Sequence, residues 1–195
     1  MEYFDRIHEA AAGGEPERFA ERLAFLLAGL EPGWRVLDVG CGEGFFCEAL
    51  AARGVAVAGT DVSRVAIERA RARVPAVEFA TCAEGSLPFA AASFHAAWLG
   101  EVLEHVRDGI SLLEEVARVV GPGGRLLAST PDHPWWLRLR LGADRRAFER
   151  HFEPRADHLR FFTRRTLAAL LDAGGFEPVA IRARAGSLLV RASAR

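Results

Sequence analysis

The chain contains no lysine, and this absence excludes one common kind of nucleotide site. A P-loop requires a lysine followed by serine or threonine after its glycine-rich turn, whereas all 25 basic residues here are arginines. Cysteine is scarce as well: the chain has only Cys41, Cys47 and Cys82. Their number is odd, and their spacing is not that of metal ligands. This scarcity argues against a disulfide framework and against a cysteine-based metal site.

Long apolar runs and an excess of one charge are also missing. No hydrophobic run reaches the roughly 18 residues typical of a transmembrane helix, and residues 1–6 do not have the pattern of a signal peptide. The formal net charge of −1 provides no general attraction to nucleic acid. We therefore expect a cytoplasmic protein without a membrane span or a nucleic-acid partner, folded as a single domain over residues 1–195.

What the sequence does contain is a hydrophobic strand that leads into a glycine-rich turn and a helix. Val36, Leu37 and Val39 predict a strand buried on both faces, interrupted by one acid, Asp38. Three glycines follow at alternate positions: Gly40, Gly42 and Gly44. Glycines let a ligand approach the main chain, and the next helix, over residues 45–53, offers free N–H groups at its start. This order of elements is typical of nucleotide-binding α/β folds.

The glycine spacing distinguishes this turn from a dinucleotide site. The dinucleotide fingerprint is G-x-G-x-x-G, but here the third glycine comes one residue early and Phe45 stands in its place. This argues against an NAD-dependent oxidoreductase. A second acid, Asp61, closes the next predicted strand (residues 55–60), about 20 residues after the first glycine. An acid at this position can accept hydrogen bonds from both hydroxyls of a ribose.

Several segments resemble one family. Residues 36–44, V-L-D-V-G-C-G-E-G, resemble motif I of the class I S-adenosylmethionine (SAM)-dependent methyltransferases, and most closely the subgroup of ubiquinone and menaquinone biosynthesis methyltransferases. Residues 81–89 resemble the family segment that meets the adenine, although Thr81 and Cys82 replace its glycine and acid. Residues 102–106, V-L-E-H-V, also resemble a family segment. The similarity extends over about residues 33–192.

The predicted fold is a three-layer αβα sandwich around a seven-stranded, mostly parallel sheet. The layers follow from the alternation of strands and helices, whereas an antiparallel last strand is implied by the resemblance. We expect residues 1–31 to form an N-terminal helical cap, in which Tyr3 and Phe4 are candidates to line the pocket. Residues 131–162 predict a substrate lid, because loops this long inside a compact domain are usually lids or binding loops. Its Trp135 and Trp136 either stack a flat acceptor or cover the core.

The resemblance also implies the cofactor and its contacts. SAM would bind across the carboxyl ends of the first strands, and S-adenosylhomocysteine (SAH) would be its product. Asp38 would help bind its methionine amino group, and Asp61 would bind its ribose. Its methionine and sugar portion would lie against Gly40, Gly42 and Gly44, and its adenine against Cys82 and Ala83. Further cofactor-binding residues would be Val62, Leu99 and Gly100. Because a thiol is only a weak acceptor, adenine recognition would depend on backbone and apolar contacts. Alternatively, Cys82 is simply a small buried hydrophobic residue.

The acceptor is expected to be a small molecule that is methylated at oxygen. His105 is the first candidate base, since imidazole can take a proton near neutral pH, and Glu101 would share its helical face. Alternatively, the Glu104–His105 pair anchors a helix. His133, in the lid, is the second candidate, whereas His95 at the start of a strand is expected to be structural. The acceptor and the oligomeric state stay open, and a non-catalytic SAM- or SAH-binding module is the alternative function.

Overall fold

A computed structural model describes residues 4–6, 9, 13–152, 158–184 and 186–195, and its centre is one seven-stranded sheet. The strands are β1 (Arg35–Val39), β2 (Ala56–Asp61), β3 (Glu78–Thr81), β4 (Ala96–Gly100), β5 (Arg125–Pro131), β6 (Phe176–Arg184) and β7 (Ser187–Ala194). Their order is β3-β2-β1-β4-β5-β7-β6. Strands β1 to β5 are parallel, and β7 runs antiparallel to both β5 and β6. The predicted sheet is confirmed.

Seven helices of the described residues accompany the strands. They are α1 (Phe19–Leu27), α2 (Phe45–Ala51), α3 (Arg64–Arg73), α4 (Gly109–Val120), α5 (Trp135–Ala143), α6 (Arg145–His151) and α7 (Arg164–Ala173). None of these helices is long and apolar enough to cross a membrane. Helix α1 begins at Phe19 rather than near Pro16, because Arg18 has a left-handed φ of 54°.

Alternating side chains divide the core into two layers, one on each face of the sheet. Val36 and Trp98 pack with helices α1 and α2, whereas Leu37 and Val39 pack with helices α4 and α7. The three-layer arrangement therefore follows from strands whose two faces are both apolar. Asp38 shares the face of Val36, which directs its carboxyl group towards α2.

Side-chain caps fix the starts of several helices, and serine and threonine are residue types that favour this position. The Ser63 hydroxyl accepts the Ala66 N–H at 3.2 Å, and Thr163 forms a capping box with Thr166. Asp108 caps α4, so this helix starts one residue later than expected. Ile110, in the first turn of that helix, is exposed.

The fourth strand begins at Ala96, three residues later than the sequence pattern predicts. His95 lies just before it, where its Nδ1 atom accepts the Arg35 N–H at 2.9 Å and its ring stacks on Trp34. The structural role expected for His95 is confirmed by these contacts.

The stretch predicted as an irregular lid contains two helices, α5 and α6. Trp135 and Trp136 are 66% and 55% exposed, so the interpretation in which they cover the core is wrong. They stand on the first turn of α5, which turns them towards solvent. Whether this segment is a substrate lid stays a prediction.

Candidate functional site

A cavity of about 250 Å³ lies at the carboxyl ends of β1 and β2. It brings together the following predicted residues: Gly40, Gly42, Asp61, Val62, Cys82, Ala83 and His105. Phe4 from the N-terminal segment also lines it, as expected, whereas Tyr3 lies outside the described residues. The part of its lining that the structure describes does not include Asp38, Gly44, Leu99, Gly100 or His133.

The glycine turn is held against the end of β2. The backbone N–H groups of Gly40 and Cys41 both donate to the carbonyl of Thr60, at 2.8 and 3.0 Å. Asp61 adds two contacts, since its Oδ2 accepts the Gly42 N–H and its Oδ1 accepts the Ser63 N–H, each at 2.9 Å. Asp61 therefore has a structural task that the sequence did not reveal, in addition to its position on the cavity wall.

Gly44 serves the packing of helices. It has a φ of 81°, and a Cβ atom there would lie 3.1 Å from the Cβ of Ala70 and 3.3 Å from the ring of Phe79. A side chain would thus separate α2 from α3 and β3. This contact accounts for a glycine at Gly44 without a ligand.

Asp38 is a buried acid beneath the turn. It is 1% exposed, and the Cys47 thiol donates to its Oδ2 at 3.3 Å. Burial raises the pKa of Asp38 to about 7, although the bond from Cys47 partly opposes that shift. The predicted contact of Asp38 with the methionine amino group stays a prediction.

The expected adenine end of the cavity is formed by the chain after β3. The Cys82 N–H donates to the carbonyl of Asp61 at 2.9 Å, which fixes this segment beside β2. The Cys82 thiol lines the cavity and is half-buried, and burial raises its pKa. A protonated thiol is a poor hydrogen-bond acceptor, which agrees with apolar rather than polar contacts at this end.

Arg22 is a candidate binding residue that the sequence interpretation missed. Helix α1 places its guanidinium over the rings of Phe46 and Trp98, at 5.2 and 5.9 Å from their centroids, and the residue is 4% exposed. Its Nε atom has no hydrogen-bond partner among the described residues and lies 4.0 Å from Glu101 Oε1. An arginine inside the apolar stripe of α1 was the signal that could have identified it.

Gly100 has a steric role towards Arg22. A Cβ atom on Gly100 would lie 2.7 Å from the Arg22 Nη2 atom and 2.7 Å from the indole nitrogen of Trp98. Leu99 is fully buried in the core on the other face of the sheet. The observed contacts of both residues belong to the packing around β4, so their position beside a cofactor stays a prediction.

The chain after β4 differs from the expectation. Residues 101–106 form turns instead of a helix, and Glu101 has a left-handed φ of 59°. The inference that Glu101 and His105 share a helical face is therefore wrong. A positive φ is uncommon for glutamate, and such strained residues concentrate at functional sites.

His105 lies on the cavity wall next to Glu104 and His158. Its Nε2 atom is 4.0 Å from Glu104 Oε1, and its ring centroid is 4.7 Å from that of His158. Glu104 is buried, and this burial raises its pKa to about 8. The Glu104 carbonyl accepts the N–H groups of Leu159 and Arg160, at 2.7 and 3.1 Å. These backbone bonds join the turn after β4 to the segment after α6, and the choice between an anchoring Glu104–His105 pair and a catalytic His105 stays a prediction.

His133 lies under helix α6. It is buried, and its ring centroid lies 5.2 Å from that of His151 and 5.0 Å from that of Phe161. Burial lowers the pKa of His133, and the neighbouring His151 lowers it further. The structure does not bring His133 together with His105, so its role as a base stays a prediction.

Comparison with known proteins identifies the family. A family model described as a methyltransferase domain matches residues 10–181, so the chain belongs to the methyltransferase domain family. A ubiquinone biosynthesis O-methyltransferase from Alkalilimnicola ehrlichii is 39% identical over 117 residues, covering 55% of this chain and 45% of the relative. A demethylmenaquinone methyltransferase from Renibacterium salmoninarum is 33% identical over 131 residues, covering 67% and 55%.

A solved structure agrees with this assignment. A SAM-dependent methyltransferase from Methanosarcina mazei superposes with a TM-score of 0.69 at 26% identity, covering 87% of this chain and 96% of that one. The resemblance drawn from the motifs is therefore confirmed at the level of family and fold. The chain spans only about half the length of the curated relatives it matches.

Proposed function

We propose that this chain is a SAM-dependent methyltransferase that methylates a hydroxyl oxygen of a small-molecule acceptor and releases SAH. The observation that carries the proposal is the meeting of Asp61 with the glycine turn in one cavity. A carboxylate at this position can accept hydrogen bonds from ribose hydroxyls. Val62 would contact the same sugar, while Gly40 and Gly42 let the ligand approach the main chain.

The rest of the cavity fits an adenine. Val62, Leu87 and Leu112 give it apolar walls, and its volume is near the lower end for small-molecule sites. Ala83 would offer its backbone N–H to a ring nitrogen, and Cys82 would contribute an apolar contact. The fit supports a nucleoside with a compact polar tail.

The methionine part would extend between β1 and β4. We assign its carboxylate to Arg22, whose guanidinium is buried and incompletely paired, because arginine binds carboxylates through two parallel hydrogen bonds. Its amino group is assigned to Asp38, which would ionise in the presence of an ammonium group. Gly44, Leu99 and Gly100 would hold the surrounding backbone.

When bound, SAM supplies a methyl group activated by a positively charged sulfur. The acceptor oxygen would attack the methyl carbon, so that the oxygen–carbon bond forms as the sulfur–carbon bond breaks. His105, on the cavity wall, would take the hydroxyl proton. Most of the remaining work is to position the acceptor and exclude water. We assign these tasks to the N-terminal cap (residues 1–31) and the lid (residues 131–162), and His133 would be a second base only if the lid moves.

Calorimetric titration with SAH tests the cofactor site, with NADH as the control ligand. We expect SAH to bind and NADH not to bind. The substitution Asp61→Asn is preferable to alanine, because the amide oxygen can still accept one of the two backbone N–H groups, from Gly42 or Ser63, whereas alanine loses both bonds. It should weaken SAH binding by about 1–3 kcal/mol, whereas Asp172→Asn, on the exposed end of α7, should not. Equal affinities for SAH in both variants would remove Asp61 from the ribose site.

Turnover tests the choice between an enzyme and a non-catalytic binding module. The names of the relatives suggest phenolic quinone precursors as the first acceptors, with SAH formation followed by mass spectrometry. His105→Asn should lower turnover far more than SAH affinity if His105 is the base. SAH binding without turnover of any acceptor would favour the binding module.

A further inference from the structure

Three side chains from two distant segments converge beside the cavity. Glu104 and His105 lie in the turn after β4, and His158 lies in the segment after α6. One candidate ligand atom from each lies within 4.8 Å of the others. Two imidazoles and one carboxylate form a ligand set that first-row divalent transition metals bind in proteins.

The Glu104 carboxyl group supplies a second, independent observation. Its Oε2 accepts the Thr130 hydroxyl at 2.9 Å, which fixes the orientation of the group. Its Oε1 is buried and has no hydrogen-bond partner among the residues that the structure describes. This oxygen faces His105 at 4.0 Å. A buried carboxyl oxygen left without a partner is costly, and a bound cation would satisfy it.

The backbone holds the two segments together without any ion. The Glu104 carbonyl accepts the N–H groups of Leu159 and Arg160, the two residues that follow His158. The His158 ring is thereby kept next to that of His105, at 4.7 Å between centroids. Only side-chain rotations are therefore needed to bring the three ligand atoms closer.

We propose that Glu104, His105 and His158 bind one divalent transition-metal ion of the zinc or manganese type. Ligand atoms on such an ion lie at about 2.0–2.2 Å from it, so that adjacent ligands are about 3–3.6 Å apart, depending on whether the coordination is octahedral or tetrahedral. The side chains therefore have to contract by about 1 Å or more from their present separation. Both histidines are only partly buried, which leaves room for that rotation.

Three protein ligands leave open coordination positions, as in catalytic metal sites. Because His105 lines the cavity, these positions face the place of the acceptor. A hydroxyl bound to the ion would release its proton to solvent more easily, so His105 would be a ligand in the metal-bound chain and the base only in the metal-free chain. This catalytic role rests on the proposed function, whereas the binding of the metal does not.

The test uses the purified full chain after treatment with a chelator. Calorimetric titration with zinc chloride should show one equivalent bound, and magnesium chloride should bind more weakly because magnesium prefers oxygen ligands. His158→Asn and Glu104→Gln should each weaken zinc binding about tenfold or more. His95→Gln is the matched control, since His95 lies at the opposite end of β4, and it should bind zinc like the wild type.

The substitution His158→Asn decides the question, because it changes a partly exposed side chain and leaves the buried Glu104–Thr130 pair intact. Absence of zinc binding in the wild type would overturn the proposal. So would equal zinc affinities for His158→Asn and His95→Gln, or a preference for magnesium over zinc. SAH is titrated into the same samples as a separate measurement. Loss of SAH binding would count against the cofactor site and would leave the result for the metal unaffected.

Discussion

The substitution Asp38→Asn should change how the stability of the protein depends on pH. Asp38 is buried under the glycine turn, and its pKa is raised from 3.8 to about 7, chiefly by burial. A raised pKa contributes stability that is fully present below 3.8 and is lost as the pH rises through about 7. The asparagine side chain has the same shape, can still accept the Cys47 thiol and cannot ionise.

The magnitude follows from the part of this window that is accessible to experiment. Between pH 5 and about pH 7, Asp38 is ionised in the unfolded chain but protonated in the folded chain. Each of these roughly two pH units lowers the unfolding free energy by about 1.4 kcal/mol. The wild type should therefore lose about 3 kcal/mol more of its unfolding free energy than Asp38→Asn over this range. This is a large fraction of the 5–15 kcal/mol typical of a whole domain.

Guanidinium chloride unfolding at pH 5, 7 and 9, followed by circular dichroism, measures the difference. Glu177→Gln is the control, because Glu177 is exposed on β6 and its neutralisation should leave the pH dependence unchanged. Parallel stability curves for the wild type and Asp38→Asn would refute the reasoning, since Asp38 would then ionise as easily in the folded chain as in the unfolded one.

Three further predictions concern binding, packing and the lid. Arg22→Met should weaken the binding of SAH about 10–100-fold. The binding of 5′-methylthioadenosine should be unaffected, because this ligand lacks the carboxylate. Equal losses of affinity for both ligands would contradict the assignment of Arg22. Gly44→Ala should lower the unfolding free energy by about 1–2 kcal/mol more than Gly33→Ala does. Gly33 is the control because it has a similar φ but open space around it. Equal losses of unfolding free energy would exclude the packing role of Gly44. In the wild type, the lowered pKa of folded His133 should cause a loss of stability as the pH falls below 6.5. His133→Phe should abolish this loss, because phenylalanine cannot be protonated. Unfolding free energies at pH 5.5 and 7 measure the difference, and an unchanged pH dependence in the variant would contradict the prediction.

The features that the sequence predicted depend on residues close together in the chain. The buried strand, the glycine turn and the helix that follows are encoded within residues 36–53, and the hydroxyls of Ser63 and Thr163 accept N–H groups from the next turn of the chain. Strand alternation then determines the layers. Local signals of this kind act before tertiary contacts form, so a single sequence was enough to predict them.

The features that it did not predict depend on contacts between distant segments. Arg22 is a candidate binding residue only because β4 places Trp98 beneath it and Glu101 beside it. Glu101 adopts a positive φ that no propensity for glutamate indicates. Likewise, His133 looked like a cavity residue because it follows a strand, yet the helix α6 covers it. In each case, the partner that decides the outcome comes from another part of the fold.

The incomplete pairing of charges at the ends of β1 and β4 is explained best by a zwitterionic ligand. Arg22 Nε and Glu101 Oε1 are both buried, 4.0 Å apart, and neither has a hydrogen-bond partner among the described residues. Asp38, on the same face of the sheet, is buried with a raised pKa. Leaving such groups unpaired costs several kcal/mol in a protein interior. An amino-acid group placed between them would give its carboxylate to the guanidinium and its ammonium to the acids. The proposed position of the methionine part of SAM would therefore account for these unsatisfied atoms, and the Arg22→Met variant tests that assignment.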